Sequence, residues 1–387
     1  MRFFILLLFV SAEASAQGSA RPGTEILQGG PNLQATAERL ATASQQLGMP
    51  VDFIRRASRG MELIFERDYR GARSHWASLQ AEYPGSAVEN VGRLLIYQSL
   101  MLENFDYRFE KQYQAHTEMA LEDIRAAMAV PGQEGWEHFL MGGVMGLQGI
   151  HLMRKRQYVA SLNRGLEALE ALKALKEIAP DFADPRVGDG IYKYWRTVVS
   201  RKTRLIPDRG DQREEGIADI QFAEEHATFV GPAASLAMVY VRLEEHNVRS
   251  ALTYGRKNRR RFPDNVINNM LVARMLIHLR RYDQSLAVLE GILRTDVDNH
   301  RAHFHRATAL MKKEDLEEAM TAIDRYLGMP LEEDSRASGL HRKGDIHFEA
   351  GRHAQARRFY EQAVALNGYR PSRAKLQRLR EMESESR

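Results

Sequence analysis

The stretch 266–299, VINNMLVARMLIHLRRYDQSLAVLEGILRTDVDN, runs directly into 300–333, HRAHFHRATALMKKEDLEEAMTAIDRYLGMPLEE. Laid one over the other, these 34-residue segments put Ala273 on Ala307, Ser285 on Ala319 and Leu289 on Ile323. Within each, apolar residues recur three and four apart, the spacing of a helix with one buried face. Small residues twelve apart, one on each helix, let two antiparallel helices approach closely. Each segment therefore reads as a helical hairpin, and a hairpin repeated at constant period reads as a stack.

The phase extends in both directions. Val239, Ala251 and Gly255 fall in register upstream, with Pro263 closing that segment; Gly344, Ala356 and Tyr360 fall in register downstream after a step of 37. Pro330 stands one short of the matching place. Far upstream, 53–86 sets Gly60, Ala72, Trp76 and Pro84 at positions 8, 20, 24 and 32 of the same unit. The aromatic fills the gap beside the small pair, and proline ends the second helix. On these residues the chain resembles a tetratricopeptide repeat (TPR) protein of exported bacterial type, with units at 53–86, 232–265, 266–299, 300–333 and 337–370. The resemblance implies an all-α fold: a right-handed superhelical solenoid of TPR-like helical hairpins.

The middle, 87–231, is helical in pattern but out of phase. From Ala72 to Ala251 is 179 residues, nine more than five units would take. Three longer hairpins are expected near 87–130, 134–180 and 184–230, and the pairs Ser86/Glu89 and Asp211/Glu214 have the capping-box spacing of helix starts. Gly190-x-Tyr192-x-Tyr194-Trp195, then Gly210-Asp211, Gly216-Ile217 and Ile220, is similar to a segment of divergent bacterial TPR proteins. It is also similar to part of the eukaryotic inclusion-body-clearance TPR family. Those relatives imply no catalytic residue here, and Tyr192, Tyr194 and Trp195 suit a helix–helix core better than a ligand cage.

The expected organisation is a signal peptide over 1–16, a flexible tether over 17–50, the first unit with irregular hairpins over 51–231, and the C-terminal array over 232–370. Leu33, Ala37, Leu40 and Leu47 place one short amphipathic helix inside the tether. Residues 371–387 read as a terminal capping helix and tail, since a stack must cover its last apolar face. At the start, Arg2, the apolar run Phe3–Val10 and Ala14-Ser15-Ala16 form a secretory signal cleaved after Ala16. The expected location is periplasmic or secreted.

Composition narrows the chemistry. With no cysteine in 387 residues, disulfides, thiolate metal sites, cysteine nucleophiles and a lipoprotein anchor are excluded. Lys+Arg 55 against Asp+Glu 51 is a mixed surface, not the one-signed field of a nucleic-acid binder. On a helix turning about 100° per residue His300 and His303 share a face but His305 lies on another, so the three do not converge on a metal. His341 and Asp345, four apart, share a face as an exposed intrahelical pair or a partner contact. No phosphate loop, nucleophile elbow or HExxH motif occurs, and neither metal nor cofactor is expected. The run Arg256, Lys257, Asn258, Arg259, Arg260, Arg261 ends a helix, where cations complement the helix dipole. Its functional alternative is contact with an anionic membrane surface. Arg209-Gly210-Asp211 spells an integrin-type tripeptide that reads as chance beside a helix start.

In the family the resemblance implies, the first helix of each hairpin lines a concave groove at positions 2, 5, 9 and 12. Here positions 5, 9 and 12 supply Leu236, Tyr240 and Leu243; Met270, Arg274 and Ile277; Phe304, Thr308 and Met311; His341, Asp345 and Phe348. Aromatic, Met and Arg side chains are the composition of interface centres. The expected function is a non-catalytic protein–protein interaction adaptor or scaffold of the bacterial cell envelope, holding a peptide or helix in that groove. The alternative is an envelope enzyme or enzyme subunit with a pocket in 87–231. A self-assembling structural repeat is a third reading.

Overall fold

One left-handed residue closes hairpin after hairpin. Arg67, Phe105, Arg156, His246, Arg280 and Glu314 have φ between 57° and 71°, and Gly351 has φ 70°. Around most of them the hydrogen bonds repeat: Arg280 N–H donates to Ile277 O and Arg281 N–H to Leu276 O, as Glu314 does to Met311 and Asp315 to Leu310. These bonds satisfy carbonyls left open at a helix C-terminus. They offset the cost of a left-handed non-glycine residue, on the order of 1 kcal/mol.

The computed structural model describes residues 33–129, 134–202 and 210–385, which contain eighteen α-helices and no strand. The readings on 1–16 and on the tether up to Pro31 lie outside these residues. Helix α1 is Leu33–Leu47, and the hairpins follow in order. They are α2 Val51–Phe65 with α3 Tyr69–Glu82, α4 Val88–Asn104 with α5 Glu110–Met128, and α6 Glu134–Arg154 with α7 Tyr158–Ile178. Next come α8 Pro185–Lys202 with α9 Arg213–His226, α10 Gly231–Glu244 with α11 Val248–Arg261, and α12 Val266–His278 with α13 Tyr282–Thr295. Then α14 His300–Lys312 pairs with α15 Leu316–Leu327, α16 Glu333–Glu349 pairs with α17 His353–Asn367, and α18 Arg370–Glu385 ends the series. The fold is an all-α, TPR-type solenoid. Among the described residues no helix is long and apolar enough to cross a membrane.

The helices divide into two compact units. The first runs to Leu100 and resumes over Phe109–Phe262; the second joins Met101–Arg108 to Pro263–Arg387. The division therefore falls one hairpin beyond 231/232. Contacts of α11 explain its place: Arg261 pairs with Glu62 at 2.5 Å, and the ring centroids of Phe65 and Phe262 lie 5.4 Å apart.

In the first unit the indole of Trp76 is pressed between Gly60 on α2 and Gly92 on α4, and a Cβ at either glycine would overlap it. A cluster of rings ties distant segments together: Trp136 lies 5.0 Å from Phe53 and 5.8 Å from Phe229, and Phe139 lies 5.3 Å from Phe182. The irregular hairpins keep the repeat's logic. Ser161 Oγ donates to Gly149 O at 2.7 Å, as Ser285 Oγ donates to Ala273 O at 2.9 Å, with the same twelve-residue spacing. In α8 and α9 the small pair is Gly190 and Gly216, and a Cβ on Gly190 would sit 2.5 Å from the Gly216 carbonyl. Tyr194 is fully buried and Trp195 packs beside it, whereas Tyr192 is 37% exposed under Arg196.

The capping-box reading of Ser86 does not hold. Ser86 Oγ donates to Tyr83 O, and Gln80 Oε1 accepts from Glu89 N–H, because a 3₁₀ turn at Pro84–Ser86 carries Ser86 outside the helix start. At the other pair, Asp211 Oδ1 accepts from Arg213 N–H at 3.1 Å, at the first residue of α9.

In the second unit each hairpin buries its small residues against an aromatic or aliphatic partner. Ala307, Ala319 and Ile323 are fully buried, and Gly344 faces the Tyr360 ring, 2.6 Å from where a Cβ would stand. Helix α18 closes this end with Leu376 and Leu379 packed on Ala356 and Tyr360.

Candidate partner-binding face

Helix α12 packs on α14, and α14 on α16, without comparable contact between α13 and α15. The first helices of the hairpins therefore line the closer, inner side of the second unit. Four of the expected groove residues lie in its packed interior: Met270 is 1% exposed, Met311 3%, His341 9% and Asp345 7%. Arg274, Ile277, Phe304, Thr308 and Phe348 are partly exposed along the same helices. Leu236, Tyr240 and Leu243 are partly exposed on α10, in the first unit.

His341 and Asp345 are not an exposed pair. Helix α18 covers them: His341 Nδ1 lies 3.0 Å from Ser372 Oγ, and Lys375 Nζ reaches Asp345 at 3.4 Å. Tyr360 donates its hydroxyl to Asp345 Oδ1 at 2.9 Å, Arg342 lies 3.3 Å from Oδ2, and His341 Nε2 lies 3.5 Å from the same oxygen. Burial and the Asp345 carboxylate push the Tyr360 hydroxyl far up, so it stays a donor. Tyr360→Phe is expected to cost about 1–2 kcal/mol of stability by urea unfolding, the net worth of a buried bond to a charged group. An unchanged midpoint would mean that Arg342 and Lys375 alone satisfy Asp345.

The three histidines of α14 part company. His303 Nε2 lies 2.9 Å from Val297 O. His300 faces Asp106 and hydrogen-bonds to the backbone of Asn104; burial lowers its pKa to about 4. His305 is held well below the usual imidazole range by burial and by Arg274, Arg301 and Arg342. Arg301 sits at position 2 of its unit, and His305 and Arg342 at position 6. Position 6 lies outside the groove rule and position 2 inside it, so the rule reaches Arg274 and Arg301 but not His305 or Arg342. Arg342 also lies over the Phe304 ring, 5.5 Å from its centroid, and that ring packs 5.3 Å from Tyr326.

The basic run of α11 is partly neutralised. Lys257 pairs with Glu224 at 3.1 Å, Arg261 pairs with Glu62, and Asn258 is buried with its amide on Pro232 O. Arg256 and Arg260 are exposed, and Arg259 is partly so. In the irregular region a cavity of about 120 Å³ is lined by Tyr194, Val198, Arg201, Arg213, Glu244 and Glu245. Ligand pockets are usually about 300–1,000 Å³, so this one is small for a substrate. A second polar cluster joins Glu110 to His151 and to Lys155, each at 2.6 Å. Burial pushes the Glu110 carboxyl up, but those two partners outweigh it and hold it low. Among the described residues no three His, Asp or Glu side chains are grouped to hold a metal.

Tetratricopeptide repeat profiles match residues 273–338 and 337–369. No curated protein matches the chain. Among solved structures it is similar to MamA from Desulfovibrio magneticus RS-1, at 19% identity over 48% of this chain and 98% of that one, with TM-score 0.37. YrrB, described as a TPR protein with an unusual peptide-binding site, shares 14% identity over 54% of this chain and 98% of its own, with TM-score 0.39. A tetratricopeptide repeat protein from Parabacteroides merdae shares 15% over 73% of this chain and 98% of its own, with TM-score 0.40. The helical hairpins, their in-phase small residues and the two matched profiles agree: residues 273–369 of this chain are tetratricopeptide repeats.

Proposed function

We propose that this protein is a protein–protein interaction scaffold of the bacterial cell envelope, and that a peptide or helix of its partner lies along α12, α14 and α16. The observation that carries the reading is the row Arg274, Ile277, Phe304, Thr308 and Phe348. It joins apolar, aromatic and cationic side chains, each partly exposed, on the inner side of one stack of helices. Such a row gives a partner helix or strand apolar contact along its length and charged contacts at intervals. The signal-like start Arg2 to Ala16 supports the envelope assignment.

Ile277→Glu with Thr308→Glu tests the groove. Both positions are partly exposed, so the fold tolerates the change while the row becomes acidic. Affinity capture from cross-linked envelope extract should yield one dominant protein with the wild type and at least tenfold less of it with the double variant. Equal capture by both proteins, with unchanged circular dichroism, would discard the groove. Recovery of the protein from envelope fractions with Met1 still at its N-terminus would overturn the export assignment.

A further inference from the structure

The inner face of the second unit already holds a piece of this chain. The end of α4 and the turn after it, Met101–Arg108, belong to that unit. Arg301 donates from Nη1 to Leu102 O at 3.2 Å and lays its guanidinium over the Phe105 ring, 5.2 Å from the centroid. Its neighbour His300 hydrogen-bonds to the Asn104 backbone and faces Asp106. Glu103 and Asn104 are only 2% and 3% exposed. The turn is one of the seven left-handed ones, and it differs from its equivalents in a telling way. At Arg156, His246, Arg280, Glu314 and Gly351 the left-handed residue is exposed and at Arg67 it is a partly buried polar one, whereas at Phe105 it is a partly buried aromatic residue. An aromatic side chain is poorly suited to that backbone region, where glycine would be easier. The ring's contact with Arg301 accounts for its presence there.

The charges match as well. Arg274, Arg301 and Arg342 all act on His305 on this face, and the turn brings Asp106, itself paired with Arg108 at 2.8 Å, to face His300. Carboxylates beside an aromatic ring are the complement of guanidinium groups, which take both through hydrogen bonds and ring stacking. We propose that the turn Leu102–Asp106 is an internal ligand of the second unit, and that the external partner presents a segment of the same chemistry, an aromatic residue flanked by carboxylates, which competes for Arg301 and its basic neighbours. This rests on the reading of the inner face as the partner site. A tethered ligand acts at an effective concentration of about millimolar, so an external segment binds weakly until the turn is displaced.

The probe is a labelled peptide of residues 100–109, LMLENFDYRF, titrated into the full chain by fluorescence anisotropy. Phe105→Gly removes the internal ring while easing the left-handed turn, so the hairpin is retained; Phe105→Ala serves as the second variant, and circular dichroism checks both. The peptide should bind either variant at least tenfold more tightly than the wild type, and Arg301→Ala in the same background should reverse the gain. Equal affinity for variant and wild type would overturn the internal ligand. A peptide with Glu103→Gln and Asp106→Asn should bind the variant at least fivefold more weakly. If that neutral peptide binds equally well, the acidic chemistry is wrong and the groove stands. If neither peptide binds the folded variants, the inference falls, and capture by the Ile277 and Thr308 double variant decides separately whether the groove reading falls with it.

Discussion

Asp184→Ala is expected to lower the unfolding free energy by about 3–5 kcal/mol, because it strands three buried backbone donors at once. Asp184 precedes α8 and is 1% exposed. Its Oδ1 accepts from Phe229 N–H at 2.8 Å and Val230 N–H at 3.0 Å, and Oδ2 accepts from Thr228 N–H at 2.8 Å. Those amides lead into α10, so one carboxylate fastens the start of α8 to the N-terminus of a helix two elements later. Alanine offers no acceptor to any of the three. Asp184→Asn should cost less, about 1–3 kcal/mol. Its Oδ1 can keep two of the bonds, but its amide nitrogen then faces the third donor.

The same residue gives a pH signature. Burial raises the Asp184 pKa from 3.8 to about 6 and outweighs the three N–H donors that lower it. Between those values the folded chain binds more protons than the unfolded one, so stability from this group falls as pH rises through the window and levels off above it. Urea unfolding of the wild type and Asp184→Asn from pH 4 to 8 should show the wild type's advantage shrinking towards pH 6. An advantage that grows with pH would mean the donors win over burial.

What the sequence could reveal follows from the same geometry. The regular hairpins were legible because close helix packing demands a small residue every 34 positions, and Ala251, Ser285 and Ala319 obey that demand. The middle hairpins obey it too, but in longer helices. The small residue on the second helix moves from Ser161 to Gly216, 55 positions, and the pair Gly190/Gly216 is 26 apart instead of twelve. Half of the excess of fourteen lies in the longer α8 and half in the connection between α8 and α9, so a search at fixed period loses the phase although the packing rule persists. The pair Gly149/Ser161, still twelve apart, was the available signal. In the candidate site, the row on α12, α14 and α16 was expected from the family resemblance that the repeat spacing carries. The coverage of His341 and Asp345 by α18 was not, since it depends on where a polar-looking terminal helix folds back. The seating of Phe105 beside Arg301 joins residues 196 positions apart and has no local sign at all.

Gly216→Val is expected to destabilise the chain by about 3 kcal/mol or more, through overpacking where α8 crosses α9. A Cβ at Gly216 would stand 2.6 Å from Gly190 O and 2.9 Å from Tyr194 N, both backbone atoms that no rotamer change can move. Helices α8 and α9 must part. Tyr194, Ile220, Ala223, Ala234 and Met238 form one core across this crossing, so parting also loosens α10, where Tyr194 Oη donates to Val241 O at 3.3 Å. Valine adds its own helix penalty, which is smaller, about 0.5 kcal/mol. Steric overlap and helix propensity can be separated with Gly143→Ala on α6, where an added Cβ meets nothing within 4 Å. That change removes a glycine from an exposed helical position and should stabilise by up to about 1 kcal/mol. Thermal and urea unfolding of the two variants should therefore move in opposite directions. Two shifts of the same sign would show that the glycines of this region are kept for a reason other than the crossing of α8 on α9. A Gly216→Val protein as stable as the wild type would remove the physical basis for reading the irregular hairpins as repeats of the same packing unit.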